Sequence, residues 1–191
     1  MMMESFDSGY LTGKLIVAMP SMSDPRFSRS VIYLCVHNAD GAMGLVINKP
    51  FEALTFEQLL RQLEMDLPLP QDDIRVQFGG PVESGRGFVL HSADYEQAGT
   101  ILVDNGVGLT ATVDILRDIA GGAGPRLSLL ALGYAGWGAG QLDGEIQQNA
   151  WLHVNADEEL VFDGALDTKW ERAMNKIGVD LSLLSGEAGH A

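Results

Sequence analysis

The sequence predicts an α+β fold built on a mostly antiparallel or mixed sheet that tends to curl toward a barrel. Three observations lead there. Strand-like apolar runs outnumber helical ones and do not alternate with them, which excludes the regular βα repeat of a doubly wound parallel sheet. Two hairpin signals stand between strand-like runs, Asn38-Ala-Asp-Gly41 and Asn105-Gly106. Glycine occupies 23 of 191 positions, well above the usual ~7%, and it falls in short turns between apolar runs rather than in a linker.

Taken in order, Lys14–Met19 reads as a first strand stopped by Pro20. Arg29–His37 is rich in β-branched and aromatic residues and reads as a buried strand. The Asn38–Gly41 turn returns it through Met43–Asn48, and Pro50 stops it. Thr55, with Gln58 three residues on, opens a helix to about Glu64 that sets Phe56, Leu59, Leu60 and Leu63 on one face. Leu67-Pro-Leu-Pro70 breaks that helix. Ile74–Phe78 and Gly87–His91 read as strands around the Gly79-Gly80-Pro81 turn, and Ile101–Asp104 with Gly108–Ala111 as a hairpin. Thr112 caps a helix to about Ala120, closed by Gly121-Gly122. Leu127–Ala131 reads as a buried strand, Trp137–Ala150 as a helix behind a glycine-rich loop, Trp151–Val154 and Glu159–Phe162 as strands, and Thr168–Ile177 as a last helix. That makes about four helices in one domain over residues 13–184, with flexible ends at 1–12 and 185–191.

Composition excludes several classes of function. The chain carries 26 acidic against 12 basic residues, a net charge of −14, which argues against direct nucleic-acid binding. One cysteine leaves no disulfide framework and no Cys-rich zinc module. No apolar run approaches the ~18 residues of a membrane span. The first dozen residues lack a basic stretch followed by a long apolar one, so the expected location is cytoplasmic. With 46% hydrophobic residues, the chain can bury a substantial core.

Candidate chemistry is sparse. The histidines His37, His91, His153 and His190 form no two-histidine metal spacing, so no metal and no cofactor is expected. Gly106-Val-Gly-Leu-Thr-Ala111 matches a permissive dinucleotide pattern, but Asn105-Gly106 favours a hairpin and no acidic residue stands about 20 positions on. Gly133-Tyr-Ala-Gly-Trp-Gly-Ala-Gly140 leads into a helix start whose free amides could hold an anion, or whose glycines simply allow close packing. Asp24 and Arg26 form a turn in which local pairing is favoured over an anion clamp. Cys35 sits within an apolar run; a redox-sensing role would draw on His37, two residues along on the same strand face.

The chain resembles the YqgE/AlgH family of bacterial proteins. The residues that carry the resemblance are Ile16-Val-Ala-Met-Pro20, Asp24-Pro25, Ser30-Val31, His37-Asn38, Gly41-Ala-Met-Gly-Leu-Val-Ile-Asn-Lys-Pro50 and Gly79-Gly-Pro-Val82. They continue through Arg86-Gly-Phe-Val-Leu-His91, Gly133-Tyr-Ala-Gly-Trp137, Gly140-Gln-Leu142, Asn149-Ala-Trp-Leu152 and Gly189-His-Ala191. The resemblance implies a bifurcated sheet bent into a pseudo-barrel and a regulatory role linked to transcription, without an agreed activity. Val36 and Gly85 depart from the family's pattern, which often has a carboxylate before His37 and before Arg86.

The preferred reading is a non-enzymatic regulatory protein that binds a protein partner or a small anionic ligand through Asn48, Gly79, Gly80, Arg86, His91, Trp137, Gly138 and Gln141. The alternatives are a hydrolase or transferase using His91 or His37 with the Gly136–Gly140 amides, and a thiol sensor at Cys35.

Overall fold

A computed structural model describes residues 10–65, 74–104 and 106–178. Residues 1–9 of the expected flexible N-terminus, the whole expected C-terminal tail with residues 179–184 before it, the Leu67–Pro70 break and the turn residue Asn105 lie outside the described residues. Among the described residues nine strands and five helices follow in the order β1 (Lys14–Ala18), β2 (Val31–Asn38), β3 (Gly41–Val46), α1 (Phe56–Gln62), β4 (Val76–Phe78), β5 (Val82–Ser92), β6 (Ile101–Asp104), β7 (Val107–Thr110), α2 (Val113–Ala120), β8 (Ser128–Trp137), α3 (Gln141–Gln147), β9 (Trp151–Asn155), α4 (Glu158–Phe162) and α5 (Lys169–Ile177), the last preceded by a 3-10 turn, Leu166–Thr168.

The sheet runs β6-β7-β5-β8-β3-β2-β1-β9. Every pairing along that path is antiparallel; β4 adds to β8 in parallel. The sheet forks at β8. Leu130–Leu132 of β8 pair with Val76–Phe78 of β4, while Ala135–Trp137 pair with Ala42–Gly44 of β3. It also curls: Gly13, just before β1, lies against Asp104 at the end of β6, near the opposite limit of the strand order. The result is a half-barrel. Its interior holds Leu15, Tyr33, Leu45, Leu90 and Leu129 and is plugged by Leu160, Trp170 and Met174 from α4 and α5. A second cluster packs α3 on the outer face through Leu142, Ile32 and Trp151, and a third packs α1 and α2 through Leu60, Ile115 and Leu130.

Local chemistry accounts for the elements. Thr55 and Gln58 form the capping box, each side chain accepting the other's backbone N–H. The Asn38–Gly41 turn closes the β2–β3 hairpin, and the dinucleotide-like glycines sit in the β6–β7 hairpin, not at a helix start.

Two segments differ from the sequence expectation. Glu159–Phe162, expected as a strand, lies in helix α4: the Asp157 carboxylate accepts the Leu160 N–H at 2.8 Å, and Glu158 and Glu159 fill the first turn, where the helix dipole favours negative charge. The glycine-rich stretch expected as a loop is the second half of β8, so Trp137 is a strand residue and α3 starts only at Gln141, after a left-handed Gly140 at φ 73°.

Lys169 is fully buried, its Nζ donating to the carbonyls of Ile47 at 3.1 Å and Val161 at 2.6 Å. Burial pushes its ammonium down to about 7, opposed in part by Asp163. The unfolded chain therefore holds a proton that the folded chain releases, from pH 7 up to the ordinary lysine range. Stability should rise with pH in that window, by at most ~1.4 kcal/mol per pH unit. Above pH 9 the buried Cys35 thiol, pushed up to about 12, works in the opposite direction. Urea unfolding at pH 7 and pH 9 checks this: the midpoint should climb for the native chain and stay flat for Lys169→Met.

Candidate functional site

The described residues that carry the family resemblance converge best on one cleft of about 370 Å³, at the outer face of the β3–β8 branch. One wall is the loop after β1. There the Asp24 carboxylate accepts the Arg26 backbone N–H at 2.9 Å and grips the Arg26 guanidinium at 3.1 and 2.7 Å. Those bonds hold Asp24 at a pKa of about 2. The same turn delivers Phe27, which stacks on Trp137 at 6.5 Å between ring centres and meets Trp151 edge-on at 5.9 Å.

The floor is built around one carboxylate. Glu145 of α3 accepts the indole N–H of Trp137 at 3.0 Å and that of Trp151 at 2.9 Å on a single oxygen, Oε1. Its Oε2 accepts from Gln141 Nε2 at 3.0 Å, and Gln141 Oε1 in turn accepts the Gly138 N–H at 3.0 Å. The two tryptophans come from the end of β8 and the start of β9, which the sheet order separates by three strands. The carboxylate between them ties those strands to α3. Pro81 and Val82 close the remaining side.

The sequence-predicted residues divide. Trp137 and Gln141 line the cleft, and Gly138 is bonded to Gln141. Gly79 and Gly80 lead into the Pro81–Val82 wall and press on the β8 backbone. Asn48 lies behind the wall: it accepts the Val31 N–H at 3.0 Å and donates to the Arg29 carbonyl at 2.9 Å, anchoring the end of the loop. Arg86 and His91 do not line the cleft. Arg86 is exposed over the Phe88 ring, its nearest carboxylate Glu83 at 3.8 Å. Phe27, Glu145 and Trp151 were not predicted as site residues. The signal for Glu145 is its i, i+4 spacing from Gln141; Phe27 and Trp151 meet it only through the fold.

The histidines are structurally engaged. Fully buried His91 donates from Nδ1 to the Ser92 carbonyl at 2.8 Å, which fixes its tautomer and leaves Nε2 to accept from Thr110 at 2.8 Å. His37 Nδ1 accepts the Leu11 N–H at 3.0 Å, so Nε2 carries the proton toward Asp143 at 3.1 Å. The carboxylate for His37 thus comes from α3, although Val36 supplies none. At the helix start proposed for anion holding, the Gly138 amide is already bonded to Gln141 and a carboxylate stands beside it.

Cys35 sits at a bulge between Leu34 and Val36, where one extra residue puts Cys35 and His37 on opposite faces. Cys35 packs in the interior, whereas His37 faces Leu11 and Asp143. Burial raises its thiol to about 12, the reverse of what a reactive thiolate needs. Among the described residues no group of His, Cys, Asp and Glu is arranged to hold a metal, and no helix is long and apolar enough to cross a membrane.

Comparison with known proteins gives the same picture throughout. Residues 15–182 match the sequence profile of the AlgH-like family. A UPF0301 protein of Rhodospirillum rubrum is 58% identical over 184 residues, 96% of this chain and 95% of its own. A UPF0301 protein of Afipia carboxidovorans is 54% identical over 190 residues, 95% of this chain and 90% of its own. The solution structure of the AlgH protein from Pseudomonas aeruginosa superposes with a TM-score of 0.78 at 43% identity, over 96% of this chain and 97% of that one. A crystal structure from Corynebacterium diphtheriae, at 21% identity and a TM-score of 0.70 over 86% of each chain, shares the fold. The forked, curled sheet and the matched sequence together make this chain a member of the AlgH-like family.

Proposed function

We propose that the protein is a cytoplasmic regulatory protein acting through protein contacts, and that its cleft receives a basic side chain, arginine or lysine, of a protein partner. The observation that carries this reading is the Glu145 carboxylate, fixed by three donors at the floor of an aromatic cleft. A carboxylate offers about four acceptor positions, so about one remains for a partner. Asp24 and Glu145 against Arg26 leave one net negative charge in the cleft, and the whole chain stands at −14. Such a field attracts a cation, and the aromatic wall of Phe27 and Trp137 adds a favourable surface for a guanidinium or ammonium group, a contact that Arg26 already makes with the Phe27 ring at 5.4 Å. The same charge speaks against direct contact with nucleic acid, so a link to transcription would run through a protein.

N-acetyl-arginine amide tests this, with N-acetyl-norleucine amide as the uncharged control. NMR titration should move the indole N–H signals of Trp137 and Trp151 and leave that of Trp170, which packs inside the half-barrel, does not line the cleft and donates to the Ala18 carbonyl. In Glu145→Gln, which keeps an acceptor oxygen but loses the charge, the response should weaken by about tenfold. Equal responses to both compounds, or an arginine response that survives Glu145→Gln, would overturn the reading.

A further inference from the structure

We infer that the protein has a second ligand site, at the mouth of the half-barrel, for a small organic acid with an apolar body and one O–H or N–H donor. A cavity of about 530 Å³ opens there between β4, the start of β8, the turn after α2 and the segment that follows α4. That volume lies within the range of small-molecule pockets, roughly 300–1,000 Å³. The cavity is separate from the aromatic cleft and shares no lining residue with it.

The chemistry of the lining selects the ligand. Gln77 is 8% exposed, and its Oε1 is buried without a hydrogen-bond partner. Its place on β4, opposite Ala131 of β8, puts it on the inner side of the sheet, and it lines the cavity. An unsatisfied buried acceptor costs about 1–3 kcal/mol unless something donates to it, so the site wants a donor.

The charges at the rim are mostly matched. Arg126 is held by Glu158 at 3.3 and 2.7 Å, and Asp163 by Arg172 at 2.9 and 3.2 Å. Arg75, an exposed residue of the cavity wall, forms no ion pair with another described residue. In a chain with only 12 basic residues an arginine on a cavity wall is a specific feature, and its planar fork suits a carboxylate, phosphate or sulfonate. Ile119, Leu129, Phe162 and Leu166 supply apolar wall for the rest of the molecule. Acid group to Arg75, donor to Gln77, apolar body between them: each part of the ligand answers a part of the wall.

The probe 8-anilinonaphthalene-1-sulfonate carries all three features and reports binding by fluorescence. The native chain should bind one equivalent. Arg75→Gln should weaken binding by about tenfold or more, the loss of a charge-assisted contact. Gln77→Met should weaken it several-fold while leaving the thermal midpoint unchanged or higher, because the substitution removes an unsatisfied polar group. Phe27→Ala, in the other cleft, should bind the probe as the native chain does. Probe affinity unchanged in both Arg75→Gln and Gln77→Met would overturn the proposal. So would a lowered midpoint in Gln77→Met, since the amide would then be serving the fold rather than awaiting a ligand.

Discussion

Gly80→Ala should cost the fold about 3 kcal/mol or more and lower the thermal midpoint by roughly 10 °C. A Cβ at this position would stand 2.1 Å from the carbonyl carbon of Tyr134, 2.2 Å from its oxygen and 2.4 Å from the nitrogen of Ala135. All three are backbone atoms of β8, so no side chain can turn aside. The residue also has φ at 153°, a region that favours glycine. Relief requires moving the β4–β5 turn away from β8 at the fork, which pulls on three strands at once. Gly85→Ala is the control: nothing lies within 4 Å of its Cβ position, and it should change stability by less than about 0.5 kcal/mol. Calorimetry of the two variants checks the pair, and a Gly80→Ala midpoint within about 2 °C of native would refute the packing argument.

Glu145→Ala should be the next most damaging change. Trp137 is 8% and Trp151 1% exposed, and both indole N–H groups end on the one oxygen this substitution deletes. Each of the two orphaned donors costs about 1–3 kcal/mol, so the expected loss is about 2–6 kcal/mol. Glu145→Gln should cost only about 1 kcal/mol, because its amide oxygen still serves both indoles. Urea unfolding of the two variants separates the hydrogen-bonding role of the carboxylate from its charge. Equal losses in the two would mean that the oxygen is not what holds the indoles.

Much of the fold was legible because the relevant signals are local. The Asn38–Gly41 turn, the Thr55–Gln58 capping box and the β6–β7 hairpin each depend on residues within a few positions of one another. Helix α4 was not legible in that way: Leu160 and Val161 read as a short apolar run, and the cap that decides for a helix, Asp157, stands before them. The fork was hidden for a different reason. A parallel pair such as β4–β8 joins residues more than fifty positions apart and leaves no periodicity in either strand. The same holds for the cleft. Trp137 and Gln141 drew notice for their unusual glycine-rich setting, but their meeting with Phe27 and Trp151 around Glu145 is a product of tertiary pairing. His91 and Arg86 drew notice as chemically capable residues, and the fold spends the first on a buried hydrogen-bond chain and leaves the second at the surface.

Because β8 completes three pairings, with β3, β4 and β5, synthesis of this chain has a late commitment point. Until residue 137 clears the ribosome, the nascent segments for β3, β4 and β5 present open edges, the arrangement most apt to recruit a stray strand from another chain. Variants that slow translation or weaken the β8 segment should therefore reduce the yield of soluble protein more than they reduce the stability of molecules that have already folded.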